Sequence, residues 1–233
     1  DLSSSITEIS GRHPLPNSDR IHKTLEGWGI SDDSHVVVYD EDNGSLAVRL
    51  WWMLRHWLGH PYVSVLDGGL KAWTSAGYET SSREVAPAPG CYTRLPDDRV
   101  VVSTQDIVSK IRNGEAADII DARDASRFRG ENEPVDEVAG HIPGAKSFPL
   151  TLNLKEDGTV KNSKQLAEAW SLVVGDSGAE NAIVMCGSGI TACHLILTAN
   201  LAGLNTPRLY VGSWSEWIRD PDRTVAVGDG VEG

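Results

Sequence analysis

The chain has few cysteines, few basic residues for its acids, and no long apolar run. Among 233 residues there are three cysteines, Cys91, Cys186 and Cys193. That odd, sparse set provides neither a disulfide framework nor the Cys-x-x-Cys spacing of a metal site, so no metal is expected. A reducing compartment fits, since a persistent free thiol requires one. Lysine and arginine total 21 against 33 acids, a net charge of −12. This excess argues against nucleic acid and anionic membranes as partners. No segment approaches the ~18 apolar residues of a membrane span. The start, Asp1-Leu2-Ser3-Ser4-Ser5, has neither the basic end nor the apolar core of a signal peptide. The expected location is therefore the cytoplasm, with organelle targeting left open because a natural N-terminus could be missing. Only two phenylalanines accompany eight tryptophans, an imbalance that by itself indicates no function.

What is present concentrates at Cys186-Gly187-Ser188-Gly189-Ile190-Thr191-Ala192. A short apolar run, Ala182-Ile183-Val184-Met185, precedes it, and an apolar segment follows to about Leu201. The pattern reads as buried strand, tight loop and helix. A cysteine there lies under backbone N–H groups and at the positive end of a helix, an environment that stabilises anions. The thiolate is the working nucleophile of a cysteine. Gly187 and Gly189 allow a sharp turn and close approach to a bound group. Ser188 and Thr191 can donate to an anion or cap the helix. The alternative is an inert buried cysteine before an ordinary glycine turn.

Two stretches of the chain repeat one pattern. His35-Val36-Val37-Val38-Tyr39-Asp40 leads through a helical stretch to Val63-Ser64-Val65-Leu66-Asp67-Gly68-Gly69-Leu70-Lys71-Ala72-Trp73. Asn181-Ala182-Ile183-Val184-Met185-Cys186 leads likewise to Arg208-Leu209-Tyr210-Val211-Gly212-Ser213-Trp214-Ser215-Glu216-Trp217. Short β-branched strands alternating with helix-length patterns imply an α/β fold with parallel sheets. The alignment sets Asp40 opposite Cys186, so the first copy carries an acid where the second carries the thiol and reads as non-catalytic. The second copy has a longer lead-in: a helix over Ser103 to Asn113 capped by Ser103, a strand over Ala117 to Asp121, then Arg123, Arg127 and a polar loop. Matching the repeats leaves the first copy short by about 45 residues. The resulting expectation is two modules, 1–83 and 100–233, joined by a proline-containing linker at 84–99 that carries Cys91.

Several motifs together resemble the two-domain rhodanese-like sulfurtransferases, and among them the branch that uses 3-mercaptopyruvate. They are Arg49-Leu50-Trp51-Trp52-Met53, Leu66-Asp67-Gly68-Gly69-Leu70, Asp121-Ala122-Arg123, Arg127-Phe128-Arg129-Gly130, Gly140-His141-Ile142-Pro143-Gly144-Ala145, the Cys186 loop, and Gly212-Ser213-Trp214-Ser215-Glu216-Trp217. The resemblance covers nearly the whole chain. It implies tandem modules with parallel sheets flanked by helices, the first lacking its N-terminal part. Thiosulfate-using members typically carry Arg and Lys after the cysteine; here Gly187 and Ser188 stand there. Related phosphatases close a longer loop with arginine, where this chain has Thr191 and Ala192.

The resemblance implies that Cys186 takes sulfur from 3-mercaptopyruvate as a persulfide, releases pyruvate, and passes the sulfur to a thiol such as thioredoxin, or to cyanide. No cofactor is implied. Substrate-binding roles fall on Arg127, Gly187, Ser188, Gly189, Ile190 and Thr191. Ser188 and His13, with an upstream acid that could be Asp1, match a proposed proton relay. The alternative for Arg127 is an ion pair with an acid such as Glu131 or Glu133. Some family members have a second substrate arginine nine residues after the first; Asp136 stands there, and Arg129 is the weaker substitute. Arg123 and His141 read as structural. Arg49 is expected to pair with an acid between the modules, while Cys193, His194, Trp214 and Trp217 read as packing residues. The rival readings are a thiosulfate sulfurtransferase and a non-enzymatic sulfur-relay or scaffold module. A separate chain supplying the segment absent from the first module is a further expected partner.

Overall fold

The computed structural model describes residues 2–115 and 118–229. The chain opens with helix α1 (Ser18–Gly27), capped by the Asn17 side chain accepting from the Arg20 N–H. Strand β1 (Val36–Val38) and helix α2 (Val48–Trp52) follow. α2 runs into a π-helical turn at Met53–Trp57. Strand β2 (Val63–Val65) pairs in parallel with β1, Val36 opposite Val63 and Val38 opposite Val65. Helix α3 (Gly69–Ser75) completes this part. Among the described residues, this sheet has two strands. Val37 and Tyr39 are exposed along it.

The stretch 84–97 contains no helix or strand, as its prolines suggest. Next come β3 (Val101–Val102), α4 (Thr104–Arg112), β4 (Ile119–Asp121), α5 (Ala125–Phe128) and β5 (Lys146–Ser147). The remaining elements are α6 (Ser163–Val174), β6 (Ile183–Met185), α7 (Ala192–Leu201), β7 (Arg208–Tyr210) and α8 (Ser213–Trp217). Ser103 caps α4 through a reciprocal box with Asp106, the N-terminal satisfaction its sequence suggested. The strand expected over Ala117 to Asp121 is observed at Ile119–Asp121, and Ala117 lies outside the described residues.

The larger sheet is wholly parallel, in the order β3-β7-β6-β4-β5. Alternate residues of its strands face opposite sides. Ile120, Val184 and Leu209 join a core with Trp170 of α6 and Leu195 and Ile196 of α7. Ile119, Ile183, Met185 and Tyr210 join another with Ile107 of α4, Phe128 of α5, and Trp214 and Trp217 of α8. Helices therefore cover both faces, as buried parallel strands require. The first core also takes in Val48, Trp51 and Trp52 of α2, so one apolar body runs from the two-stranded part into the five-stranded part. Among the described residues, no helix is long and apolar enough to cross a membrane.

Candidate active site

The order in which the chain adds strands reverses between β4 and β6, and loops leaving the C-terminal ends of such neighbours open a crevice. Met185 at the end of β6 lies opposite Asp121 at the end of β4. Cys186 thus emerges beside the segment that carries Arg123 and Arg127. The Cys186 residue is buried. Its N–H donates to Ser213 Oγ at 3.1 Å, and its carbonyl accepts from the Trp214 N–H at 3.0 Å. The Gly187 carbonyl accepts from the Ser215 N–H at 2.9 Å. The start of α8 therefore fixes the entry to the loop.

The backbone N–H groups of residues 187–191 donate to no protein acceptor among the described residues. They form a set of donors available to an anion at the N-terminus of the ten-residue α7. Gly189 makes the turn at φ 74°, and a Cβ there would run into the Val211 carbonyl. The first repeat shows what such a loop holds. The Asp40 carboxylate, at the position matching Cys186, accepts from the N–H groups of Asp42, Gly44, Leu46 and Ala47 at 2.8–3.2 Å. Although burial works against the charge, those donors hold Asp40 below the ordinary carboxylate range. The first loop thus carries its own anion.

A second buried thiol, Cys193, lies on α7. Burial pushes Cys193 up to about 12, and its Sγ donates to the Gly189 carbonyl at 3.5 Å. It remains a neutral packing group, as expected. His194 is buried beside it on α7, with both ring nitrogens lacking a hydrogen-bond partner.

Arg49 departs from its expected acid pairing. Its Nη1 donates to the Gly189 carbonyl at 2.8 Å and its Nη2 to the His13 carbonyl at 3.1 Å. The guanidinium lies over Trp52, 5.6 Å from the ring centroid, and is buried. The two carbonyl dipoles replace a carboxylate partner, so a first-repeat cation braces the cysteine loop. Burial lowers its proton affinity, opposed by the nearby Cys193 and Cys186 thiols.

Arg123 forms a buried fork on Asp121, with Nη2 to Oδ2 at 2.7 Å, and donates to the Gly140 carbonyl at 2.7 Å. It also lies over Trp214, 4.7 Å from the ring centroid. His141 stacks on Phe128 and its Nδ1 lies 2.8 Å from the Phe128 carbonyl. Trp214 and Trp217 are buried in the core. Trp214 holds the cysteine loop through its N–H on the Cys186 carbonyl, and the others pair or pack around it, in agreement with their structural reading. Arg129 pairs with the exposed Glu131 at 2.7 Å, away from the loop's acids.

Arg127 takes up the acid Glu133, with Nη2 to Oε1 at 2.7 Å, and also reaches Asp136 Oδ2 at 3.1 Å. Its Nη1 and Nη2 nevertheless lie 3.8 and 3.6 Å from where a Gly187 Cβ would be. Arg127 is thus both ion-paired and beside the cysteine loop.

The elements of the expected relay do not join through hydrogen bonds. His13 Nδ1 is buried without a partner, and no bond links His13 to Ser188 among the described residues. Asp1 lies outside the described residues. Burial, then Arg12 and Arg49, lower the His13 pKa below its ordinary 6.5, so the ring is neutral at neutral pH.

One residue at the site escaped the sequence reading. Arg12, adjoining His13, ion-pairs with Asp136, and its Nη2 lies 2.9 Å from the position of a Gly187 Cβ. The sequence separation of 124 between the partners conceals this pairing. The acid at position 136 was the available signal, since two acids, Glu133 and Asp136, close to the single cation Arg127 leave room for a further cationic partner.

The model of the Rhodanese-like domain matches residues 6–76 and 103–220. The chain is 43% identical over 231 residues to a probable 3-mercaptopyruvate sulfurtransferase of Pseudomonas aeruginosa, covering 98% of this chain and 81% of that one. It is 35% identical over 224 residues to a thiosulfate sulfurtransferase of Cricetulus griseus, covering 94% and 74%. Its fold is similar to that of the 3-mercaptopyruvate sulfurtransferase of Leishmania major, with TM-score 0.81 and 31% identity over 93% of this chain and 60% of that longer one. The family model and these similarities over nearly the full length of the chain agree: the chain belongs to the rhodanese-like family.

Proposed function

We propose that this chain is a sulfurtransferase that takes sulfur from 3-mercaptopyruvate onto Cys186. The observation that carries the reading is the buried cysteine beneath a loop whose N–H groups at 187–191 await an anion. The Cys186 thiolate attacks the donor sulfur and the donor C–S bond breaks. The departing carbon takes the proton released from that sulfur, giving pyruvate and a Cys186 persulfide anion. The N–H groups of Gly187, Ser188, Gly189, Ile190 and Thr191 stabilise the negative sulfur before and after transfer. Arg127 binds the donor carboxylate. His13 and Ser188 are the groups assigned to proton movement, a role they would take up on donor binding. A thiol such as thioredoxin, or cyanide, then attacks the terminal sulfur and restores the Cys186 thiolate.

In this reading residues 100–233 are the catalytic module, 1–83 a non-catalytic module and 84–99 the linker. The cytoplasm is the proposed compartment, on the ground of three free thiols. The outer edges of the two-stranded sheet, Val36–Val38 and Val63–Val65, which pair only with each other among the described residues, would accept a segment on a separate chain as a further partner. Thiosulfate is a second candidate donor, favoured by the Arg12 guanidinium beside Gly187.

Pyruvate release tests the assignment. The wild-type chain should release pyruvate from 3-mercaptopyruvate with higher kcat/KM than it shows for thiosulfate, while Cys186→Ser should release none. A higher efficiency with thiosulfate would overturn the donor, and turnover by Cys186→Ser would overturn the nucleophile.

A further inference from the structure

The segment carrying Arg12 is anchored to the catalytic side of the molecule. The Arg12 N–H donates to Ser215 Oγ at 3.0 Å, and the Gly11 N–H to Glu216 Oε2 at 3.2 Å. Both acceptors belong to α8, whose first turn also holds the carbonyls of Cys186 and Gly187. From this backbone position the Arg12 side chain reaches Asp136. The opposite oxygen of Asp136 accepts from Arg127 at 3.1 Å. One nearly buried carboxylate therefore bridges two guanidinium groups.

Both groups lie against Gly187. A Cβ there would stand 2.9 Å from Arg12 Nη2 and 3.8 Å from Arg127 Nη1. Neither nitrogen donates to a protein acceptor among the described residues. Two cations brought this close repel one another, and the Asp136 bridge offsets that repulsion. It engages one edge of each guanidinium and leaves donors beside the cysteine loop. A side chain at 187 would displace the Arg12 head from this position.

We propose that Arg12 and Arg127 form a two-arginine clamp for the donor carboxylate above Gly187, with Asp136 as the residue that positions both. The proposal rests on the reading of Cys186 as sulfur acceptor and 3-mercaptopyruvate as donor. The planar donor forks suit a carboxylate flanked by a keto oxygen. The cation arrives from the segment before α1, and the residue at 136 holds it, so neither works alone. Arg12 belongs to the first repeat's part of the chain, which makes the donor site a joint product of distant segments.

Steady-state kinetics with 3-mercaptopyruvate on Arg12→Ala, Arg12→Gln, Arg12→Lys and the transposed pair Arg12→Asp/Asp136→Arg tests it. Loss of a charge-assisted donor should raise KM about tenfold or more in Arg12→Ala and Arg12→Gln, with kcat changed far less. Arg12→Lys should fall between these and wild type, because it keeps the charge without the fork. The transposed pair should recover much of the lost affinity. A KM within about twofold of wild type for a folded Arg12→Gln would overturn the clamp.

Calorimetric binding of pyruvate separates this from failure of the proposed reaction. If wild type does not turn over 3-mercaptopyruvate, the reaction falls, and the clamp is then judged on pyruvate alone. Weaker binding by Arg12→Gln than by wild type supports the clamp; equal binding, or no binding by wild type, overturns it. Should Arg12→Ala fail to fold, the Gln and Lys variants carry the comparison.

Discussion

Charge at single residues separates catalysis from support. Arg127 and Arg123 stand four positions apart, yet their surroundings differ. Arg127 keeps Nη1 beside Gly187, whereas the forked Arg123 faces the buried Asp121 and the Gly140 carbonyl. Arg127→Ala should raise KM for 3-mercaptopyruvate about tenfold or more while the fold remains. An unchanged KM would remove Arg127 from donor binding. Arg123→Ala should instead destabilise the chain by about 3–5 kcal/mol, because it leaves Asp121 as an uncompensated buried charge. Urea titration checks this, and a stability equal to wild type would contradict it. The sequence motifs suggested both roles, while the contacts of Arg12 and Arg49 depended on tertiary placement. Arg49 reaches a carbonyl 140 residues away, a relation no local pattern contains.

At the level of elements, β6, its loop and α7 form a unit whose parts were legible for different reasons. The apolar run into Cys186 marked the strand, and the two glycines marked the turn. The parallel pairing followed from strand and helix alternation, and Ser103 announced the start of α4. The π-helical turn at Met53–Trp57 was not legible, because its apolar and aromatic residues also suit an ordinary helix. The first loop's capture of its own carboxylate was visible only as an Asp40–Cys186 correspondence; its four N–H contacts required the fold. Gly189 is the element's most exacting position. Gly189→Ala should impede persulfide formation strongly, since it combines a left-handed backbone with a collision at the Val211 carbonyl. The strain should also lower stability by about 1–3 kcal/mol. Wild-type rates of persulfide formation would contradict this account of the loop.

The whole molecule joins its two repeats through a common apolar body, with α2 against α7 and Arg49 against the cysteine loop. Urea unfolding should therefore give one cooperative transition by fluorescence and circular dichroism; separate transitions for the two parts would contradict that coupling. His194 lies within this body, and burial lowers its pKa to about 4 from 6.5. The folded state then holds fewer protons than the unfolded state between those values. Its contribution to stability is present above pH 6.5 and is lost as pH falls toward about 4, by up to about 3 kcal/mol. His194→Gln should flatten the pH dependence of stability over that interval, and an identical slope would exclude His194 as its source. The central claim, that Cys186 accepts the sulfur, is tested most directly by intact mass and peptide mapping before and after 3-mercaptopyruvate. A gain of one sulfur, about 32 Da, should appear on the Cys186 peptide. A folded, reduced chain that gains no sulfur, or gains it on Cys91 or Cys193 instead, would contradict the account.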